Sequence, residues 1–179
     1  MQIQQGRLVD ATQQASPNCD ERQDDISLLI VHGISLPPGE FGGPWIDALF
    51  TNTLDPDEHE YFKEISHLKV SSHLLIRRDG ELLQYVPFDK RAWHAGESLF
   101  DGQDCCNDFS IGIELEGTDD LAYTDEQYRQ LAKVISTLQA EYPAITAERV
   151  VGHSDVAPGR KTDPGPAFDW YKLRKLLSA

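Results

Sequence analysis

Hydrophobic residues along the chain fall into two patterns, short apolar runs that predict strands and spaced apolar stripes that predict helices. Residues 27–32 are almost continuously apolar, as in a central strand that is covered on both faces. Residues 110–116 alternate, so isoleucine and leucine share one face of a strand while glycine and glutamate share the other. The same reasoning predicts strands at 70–77, 81–87 and 149–151, with Asp79-Gly80 as a hairpin turn between the first two.

Helix signals occur between these strands. Thr124 and Gln127 form a capping box at the start of the longest predicted helix, which ends at Pro143. A second helix is predicted over residues 55–67, where an aspartate N-cap is followed at once by proline and two residues later by glutamate. Shorter helices are predicted from Pro44 to Phe50 and from Phe168 to Leu177.

These elements predict one α/β or α+β domain over residues 1–179, with a central mixed β-sheet flanked by helices. Residues 1–25 are polar, and we expect them to wrap around the surface. Residues 91–108 show no clean period and mix aromatic residues with glycine and aspartate, so we expect a loop that lines a cleft.

Composition narrows the range of partners. The formal charge of −14, from 30 acidic and 16 basic residues, argues against nucleic acid or an anionic membrane and favours a small substrate. The three cysteines have no paired spacing, so we expect reduced thiols. The first residues carry no basic and apolar leader, and no apolar run is long enough to span a bilayer. We therefore expect a cytoplasmic monomer.

The densest group of reactive side chains lies in residues 152–166, which read GHSDVAPGRKTDPGP. Three prolines and three glycines favour turns over helix, and they predict a stiff loop. The loop carries His153 and Asp163, and a third candidate, His32, stands at the end of the first predicted strand. A loop histidine alone is more often only a hydrogen-bonding side chain.

Two imidazoles and one carboxylate, however, are the donor set of a catalytic zinc site, in which a fourth position is left for water or substrate. A structural zinc site would be closed by four ligands, usually with cysteine, and the spacing of the cysteines does not fit one. Three other histidines fit roles without chemistry. His59 and His67 fit solvated residues, and His73 fits a core or hairpin residue.

Two further charged positions are candidates for chemistry. Glu114 and Glu116 project from one face of the alternating strand, where a solvated charged face is the commoner explanation. The flanking glycines and apolar residues suggest instead a central strand with little water. Lys161 fits a surface lysine equally well, but it lies two residues before Asp163, which places both side chains on one face of an extended segment.

The loop sequence, together with HGISLPPGEFGGPW, WHAG and FSIGIELEG, resembles the zinc N-acetylmuramoyl-L-alanine amidases of the phage-lysozyme and peptidoglycan-recognition family. Within that family the chain is most similar to the cytosolic type, whose substrate carries a 1,6-anhydro ring. The likeness covers nearly the whole chain from about residue 5, and the spacing H-x-D-x5-K-x-D is specific to the family.

The resemblance implies that His32, His153 and Asp163 hold one zinc ion at the edge of the sheet. It implies that Glu114 is the general base or positions the water, and that Lys161 stabilises the oxyanion. The scissile bond would be the amide between the lactyl group of muramic acid and L-alanine, cleaved during peptidoglycan recycling.

The chain departs from the family pattern at Gly33, where asparagine is common, and this puts the fine substrate affinity in doubt. Three more residues are candidates for substrate binding: Trp93 by stacking on the sugar, and His94 or Arg160 by contact with peptide carboxylates. For each of them a purely structural role is about as well supported.

Two other functions fit parts of the pattern. A peptidoglycan-binding module without catalysis would share the fold, but such modules typically lack the full ligand set that is present here. A wall-lytic amidase outside the cytoplasm would share the chemistry, but it would need an export signal, which we do not find at the start of this sequence.

Overall fold

The computed structural model describes residues 1–178. The strands, numbered in chain order, are β1 (Ile3–Gln4), β2 (Arg7–Leu8), β3 (Thr12–Gln13), β4 (Cys19–Glu21), β5 (Leu28–Ile34), β6 (Leu74–Ile76), β7 (Leu82–Gln84), β8 (Lys90–Ala92), β9 (Leu99–Phe100), β10 (Gln103–Asp104), β11 (Ser110–Glu116) and β12 (Val150–Gly152). The α-helices are α1 (Trp45–Phe50), α2 (Phe62–Ile65), α3 (Asp125–Glu141), α4 (His153–Val156) and α5 (Trp170–Leu177), and single 3-10 turns lie at Cys106–Asp108 and Ala147–Arg149.

Six strands form a mixed sheet in the order β12-β5-β11-β6-β7-β3. The first four of these run parallel, β7 returns antiparallel to β6 through the predicted hairpin, and β3 pairs in parallel with β7. The long strands β5 and β11 lie next to each other inside the sheet, and both are covered on both faces, as the apolar run and the alternating pattern predicted. The predicted mixed sheet flanked by helices is confirmed.

One face of the sheet packs against the long helix α3 and the C-terminal helix α5. Ile111, Ile113 and Leu115 of β11 point into this layer, where they meet the apolar stripe of α3. The N-terminus of α3 carries the predicted capping box, because the hydroxyl of Thr124 accepts a hydrogen bond from the N–H of Gln127 and the Gln127 side chain accepts one from the N–H of Thr124. This layer is the main apolar core.

The opposite face of the sheet carries the polar side chains. His32 lies opposite Glu114 in the register of β5 and β11, so both project toward this face. The layer above them consists of α1, the segment around α2, and the loop after β8. Across residues 1–178 no helix is both long enough and apolar enough to cross a membrane.

The predicted helix over 55–67 is wrong for most of its length, since only Phe62–Ile65 is α-helical. The side chain of Asp55 accepts from the N–H of Asp57, which closes an Asx turn in place of an N-cap. Residues 55–60 are exposed, and Phe62 is the fully buried residue of the segment. With little apolar surface to bury, the segment gains nothing from a continuous helix.

Three other predictions need correction. The stiff loop at 152–166 begins with one turn of helix, α4. The segment 91–108 includes the end of β8 and the small hairpin of β9 and β10 besides its loops. Residues 1–25 do more than wrap the surface, because β3 forms the last strand of the main sheet and Arg22 is held among backbone carbonyl groups.

Candidate active site

Three side chains that can bind a metal converge over strands β5 and β11. His32 lies on β5, His153 opens α4 directly after β12, and Asp163 lies in the loop that follows α4. Nδ1 of His32 is 3.0 Å from Nδ1 of His153 and 3.3 Å from Oδ2 of Asp163. Nδ1 of His153 is 3.1 Å from the same oxygen, so the three atoms form a nearly equilateral triangle.

The size of this triangle fits one zinc ion. Zinc bonds of about 2.0–2.2 Å in a tetrahedron separate two ligand atoms by about 3.3 Å, and the observed edges are close to that length. Two imidazoles and one carboxylate form a donor set that leaves one tetrahedral position for water or substrate. The geometry therefore supports the zinc site predicted from the sequence.

Hydrogen bonds within the loop fix the position of Asp163 relative to His153. The N–H of Ser154 donates to the carbonyl of Asp163 at 3.0 Å, and the N–H of Gly152 donates to Oδ2 of Asp155 at 2.7 Å. Pro164 packs against Gly152, where a β-carbon would lie only 2.9 Å from the proline ring. The turn-forming residues of the loop thus hold Asp163 beside His153.

The outer ring nitrogens of both histidines have protein partners. Nε2 of His153 lies 3.1 Å from the carbonyl oxygen of Ala95, and Nε2 of His32 lies 2.9 Å from Nδ1 of His94. A carbonyl oxygen only accepts, so the proton of neutral His153 is on Nε2 and its Nδ1 presents a lone pair to the triangle. This is the tautomer that a metal ligand needs.

The protonation states of the triangle also suit a metal. Burial lowers the pKa of His32 to about 4, although the neighbouring Asp163 raises it in part. Burial alone would raise the pKa of Asp163, but the adjacent imidazoles of His153 and His32 hold it below its usual range. Near neutral pH His32 is therefore an uncharged imidazole and Asp163 a carboxylate, which are the forms that bind metal.

Glu114 is the carboxylate that faces this triangle. Its Oε1 lies 4.0 Å from Nδ1 of His32, and its side chain is almost fully buried. Burial raises the pKa of Glu114 well above its usual value, the negative charge of Asp163 adds to the shift, and Lys161 opposes it. A carboxyl group whose pKa is raised in this way holds a proton more readily than an ordinary glutamate, which suits a group that accepts one during a reaction.

Glu116, on the same face of β11, has a different environment. Its Oε1 accepts from the N–H of Gly42 at 2.6 Å and from Arg77 at 3.4 Å, and its Oε2 accepts from the N–H of Arg78 at 3.2 Å. Arg77 in turn pairs with Asp47 of α1 at 2.9 Å. Glu116 therefore anchors the loop before α1, and it is Glu114 that the structure places in the site.

A cleft of about 300 Å³ opens over the triangle. Its polar lining includes Lys161 and Glu114 besides the three side chains of the triangle. Its apolar lining, which the sequence did not predict as part of a site, is an apolar wall formed by Leu36, Leu49, Phe50, Tyr61, Ile65, Leu68 and Val70. A cleft lined by both charged and apolar side chains suits a ligand that is itself amphipathic.

Comparisons with known proteins agree with this geometry. Residues 22–166 match the model of a family described as N-acetylmuramoyl-L-alanine amidase. The chain belongs to the N-acetylmuramoyl-L-alanine amidase family. A relative from Salmonella typhimurium (strain SL1344), named 1,6-anhydro-N-acetylmuramyl-L-alanine amidase AmpD, is 67% identical over 97% of this chain and 93% of its own.

Two solved structures are similar to the amidase. A crystal structure of a selenomethionine derivative of AmpD matches with a TM-score of 0.97 and 62% identity, over 99% of both chains. The amidase AmiD from E. coli matches with a TM-score of 0.62 and 30% identity, over 90% of this chain and 58% of that chain. The AmiD structure is described as a complex with the substrate anhydro-N-acetylmuramic acid-L-Ala-D-gamma-Glu-L-Lys.

Two of the predicted substrate-binding residues of the amidase are engaged elsewhere. Arg160 donates to the carbonyl oxygens of Ala95 at 2.6 Å and Glu97 at 2.5 Å, outside the cleft. His94 reaches the cleft, but its two ring nitrogens face His32 at 2.9 Å and the hydroxyl of Ser110 at 3.3 Å. The structure thus places the partly buried Trp93 in the lining of the cleft, while Arg160 supports the loop that carries the carbonyl of Ala95.

At the position where the chain departs from the family pattern, Gly33, another side chain fills the space. A β-carbon on Gly33 would lie 2.4 Å from the hydroxyl oxygen of Tyr123. That hydroxyl donates to the carbonyl of Pro164 at 2.9 Å, next to Asp163 of the triangle. Nothing in the local sequence indicates that Tyr123 would reach this place, because the contact joins residues 90 positions apart.

Arg22 and His73 form a second feature that sequence reasoning missed. The guanidinium of Arg22 donates to the carbonyl groups of Phe88, Lys90, Asn107, Asp108 and Ser110, beneath the site. The buried ring of His73 lies beside it, with Nδ1 accepting from the N–H of Gly112 at 3.0 Å. Because residues 20–25 are mostly charged, nothing in the sequence indicated that Arg22 would be held among backbone carbonyl groups.

Proposed function

We propose that this amidase hydrolyses the amide between the lactyl group of 1,6-anhydro-N-acetylmuramic acid and L-alanine, with one zinc ion per chain. The observation that carries the proposal is the triangle of His32, His153 and Asp163 at edges of 3.0 to 3.3 Å, with Glu114 beside it. The name of the Salmonella relative and the ligand of the AmiD complex support the anhydro substrate.

The zinc ion, when bound by His32, His153 and Asp163, supplies a Lewis acid that polarises the amide carbonyl and activates water. Glu114 accepts the proton of the attacking water and returns it to the leaving amine, a role that its raised pKa suits. Lys161, an exposed residue of the cleft lining, supplies positive charge to the oxygen that becomes anionic in the transition state.

The walls of the cleft orient the substrate. Trp93 offers its aromatic ring to the sugar, and the apolar wall of the cleft accommodates the less polar parts of the muropeptide. We place the enzyme in the cytoplasm, as a monomer acting on small wall fragments during peptidoglycan recycling. Its three cysteines, Cys19, Cys105 and Cys106, are free thiols, which fits a reducing compartment.

Two measurements on the full-length protein test the proposal. Elemental analysis should find one zinc per chain, and a chelator should abolish activity without unfolding the protein. Steady-state kinetics should show a kcat/KM at least about 100-fold higher for an anhydro-muramyl peptide than for the same peptide on ordinary muramic acid, mostly through kcat.

Other outcomes point to other functions. Full activity of the metal-free protein would refute the zinc site. Equal rates on the two sugars would indicate a general muramoyl amidase and remove the recycling role. Binding of both sugars without turnover, in protein that contains zinc, would indicate a module that only recognises peptidoglycan.

A further inference from the structure

His94 lies behind the proposed metal site and has both of its ring nitrogens engaged. Its Nδ1 is 2.9 Å from Nε2 of His32, and its Nε2 is 3.3 Å from the hydroxyl oxygen of the buried Ser110. The rings of His94 and His32 are perpendicular, with centroids 5.0 Å apart. These three side chains form a continuous line from the metal triangle into the core of the sheet.

The direction of these hydrogen bonds follows from the role of His32. A neutral imidazole has one donor nitrogen and one acceptor nitrogen. If Nδ1 of His32 provides the lone pair for a metal, its proton is on Nε2 and is donated to Nδ1 of His94. The proton of His94 is then on its own Nε2 and is donated to Ser110. If the proton of His32 were on Nδ1 instead, this N–H would point at Nδ1 of His153, only 3.0 Å away. Nδ1 of His32 would then have no lone pair for a metal.

The protein fixes the His94 ring from several sides. The ring lies on Gly112 of β11, where a β-carbon would come within 2.5 Å of its Cγ and Nδ1 atoms. The side-chain oxygen of Asn107 accepts from the backbone N–H of His94 at 3.1 Å and from that of Ala95 at 2.8 Å. Any larger residue at position 112 would displace the ring from His32.

We propose that His94 is a positioning residue, which holds the ligand His32 in the tautomer and ring orientation that bind zinc. This inference rests on the proposed zinc site, and it replaces contact with the peptide carboxylate as the role of His94. With its nitrogens directed at His32 and Ser110, His94 has no free donor for a carboxylate of the substrate. Groups that orient a metal ligand typically contribute about 10–100-fold to metal affinity.

The test compares two substitutions of similar size in the full-length protein. His94→Asn retains an oxygen that can accept from Nε2 of His32, whereas His94→Leu cannot accept a hydrogen bond. Competition with a chromophoric chelator gives the Kd for zinc itself, independently of activity. We expect His94→Leu to weaken zinc binding about 10–100-fold and His94→Asn by less than about tenfold.

A third variant approaches the same ring from the opposite side. Gly112→Ala leaves His94 and His32 intact but displaces the His94 ring, so it should also weaken zinc binding. Gly102→Ala, in the exposed turn between β9 and β10 where nothing lies within 4 Å of an added β-carbon, serves as a glycine control away from His94. Far-UV circular dichroism and urea unfolding show whether each variant is folded.

The outcomes separate the two proposals. If the wild-type protein binds no zinc, the proposed function itself fails. If the wild type binds zinc and the Asn and Leu variants bind it equally well, the hydrogen bond is irrelevant and the positioning role is refuted. If His94→Leu keeps the wild-type Kd for zinc and raises only KM, His94 is a substrate contact instead.

Discussion

Glu114 and Glu116 offer a matched pair for separating catalysis from stability. They lie two residues apart on the same face of β11, and both are buried. Replacing each in turn by glutamine keeps the size of the side chain and removes its charge. We expect Glu114→Gln to lower kcat without loss of stability, and Glu116→Gln to lower stability with little change in kcat of the folded protein.

The expected cost at Glu116 follows from its partners. The carboxylate accepts from two backbone N–H groups and from Arg77, and a glutamine amide can accept through only one of its two ends. A hydrogen bond to a charged group contributes about 1.5–3 kcal/mol, and Arg77 retains its ion pair with Asp47. We therefore expect a loss of about 2–4 kcal/mol in the free energy of unfolding.

At Glu114 we expect the substitution to affect kcat and not stability. Within residues 1–178 no lysine or arginine nitrogen lies within 4.0 Å of its carboxylate, and burial raises its pKa well above the usual value. A group whose pKa is raised by folding destabilises the fold as the pH rises, so glutamine should leave stability unchanged or slightly higher. Loss of a general base should lower kcat by about 100-fold or more.

The two variants are compared by urea unfolding, by elemental analysis for zinc and by kcat at saturating anhydro-muramyl peptide. Retained zinc in Glu114→Gln separates a loss of proton transfer from a loss of metal. If Glu114→Gln is as active as the wild type while Glu116→Gln is inactive and fully stable, the assignment of the two carboxylates is reversed and the reasoning fails.

Three further predictions address other parts of the molecule. Lys161→Ala should lower kcat by about 100-fold with zinc retained, and an unchanged kcat would remove the lysine from the mechanism. Thr124→Ala should lower the free energy of unfolding by about 1 kcal/mol through loss of the helix cap, with kcat unchanged as the control. Burial lowers the pKa of His73 to about 3, so its contribution to stability is complete above about pH 6.5 and is lost as the pH falls toward 3. His73→Asn should therefore flatten the urea-unfolding profile in that window by about 1.4 kcal/mol per pH unit, and parallel profiles would contradict this.

The parts of the fold that local pattern determines could be predicted from the sequence. Strand β11 and helix α3 were placed nearly to the residue, because alternation and a capping box are read from neighbouring positions. The cluster of candidate ligands was also accessible, since two of its members lie ten residues apart in one turn-rich loop and the third ends an apolar run.

What could not be predicted depends on contacts between distant segments. Residues 55–60 have good cap residues but no apolar face and stay exposed, whereas the cleft is lined by Tyr61 and by Ile65 at the end of α2. Arg22 and Arg160 both look like surface residues in sequence, yet each satisfies backbone carbonyl groups of a distant loop. Such roles become visible only when the chain is folded.

The contact between Gly33 and Tyr123 makes these two positions epistatic. The hydroxyl of Tyr123 occupies the volume that any side chain at position 33 would need, and it anchors the carbonyl beside a metal ligand. Asparagine at position 33 would therefore be harmful in this background and acceptable only after Tyr123 had been exchanged for a smaller residue. Tyr123 must therefore change before Gly33 can. As long as Tyr123 is present, position 33 is restricted to glycine by a residue in another part of the chain.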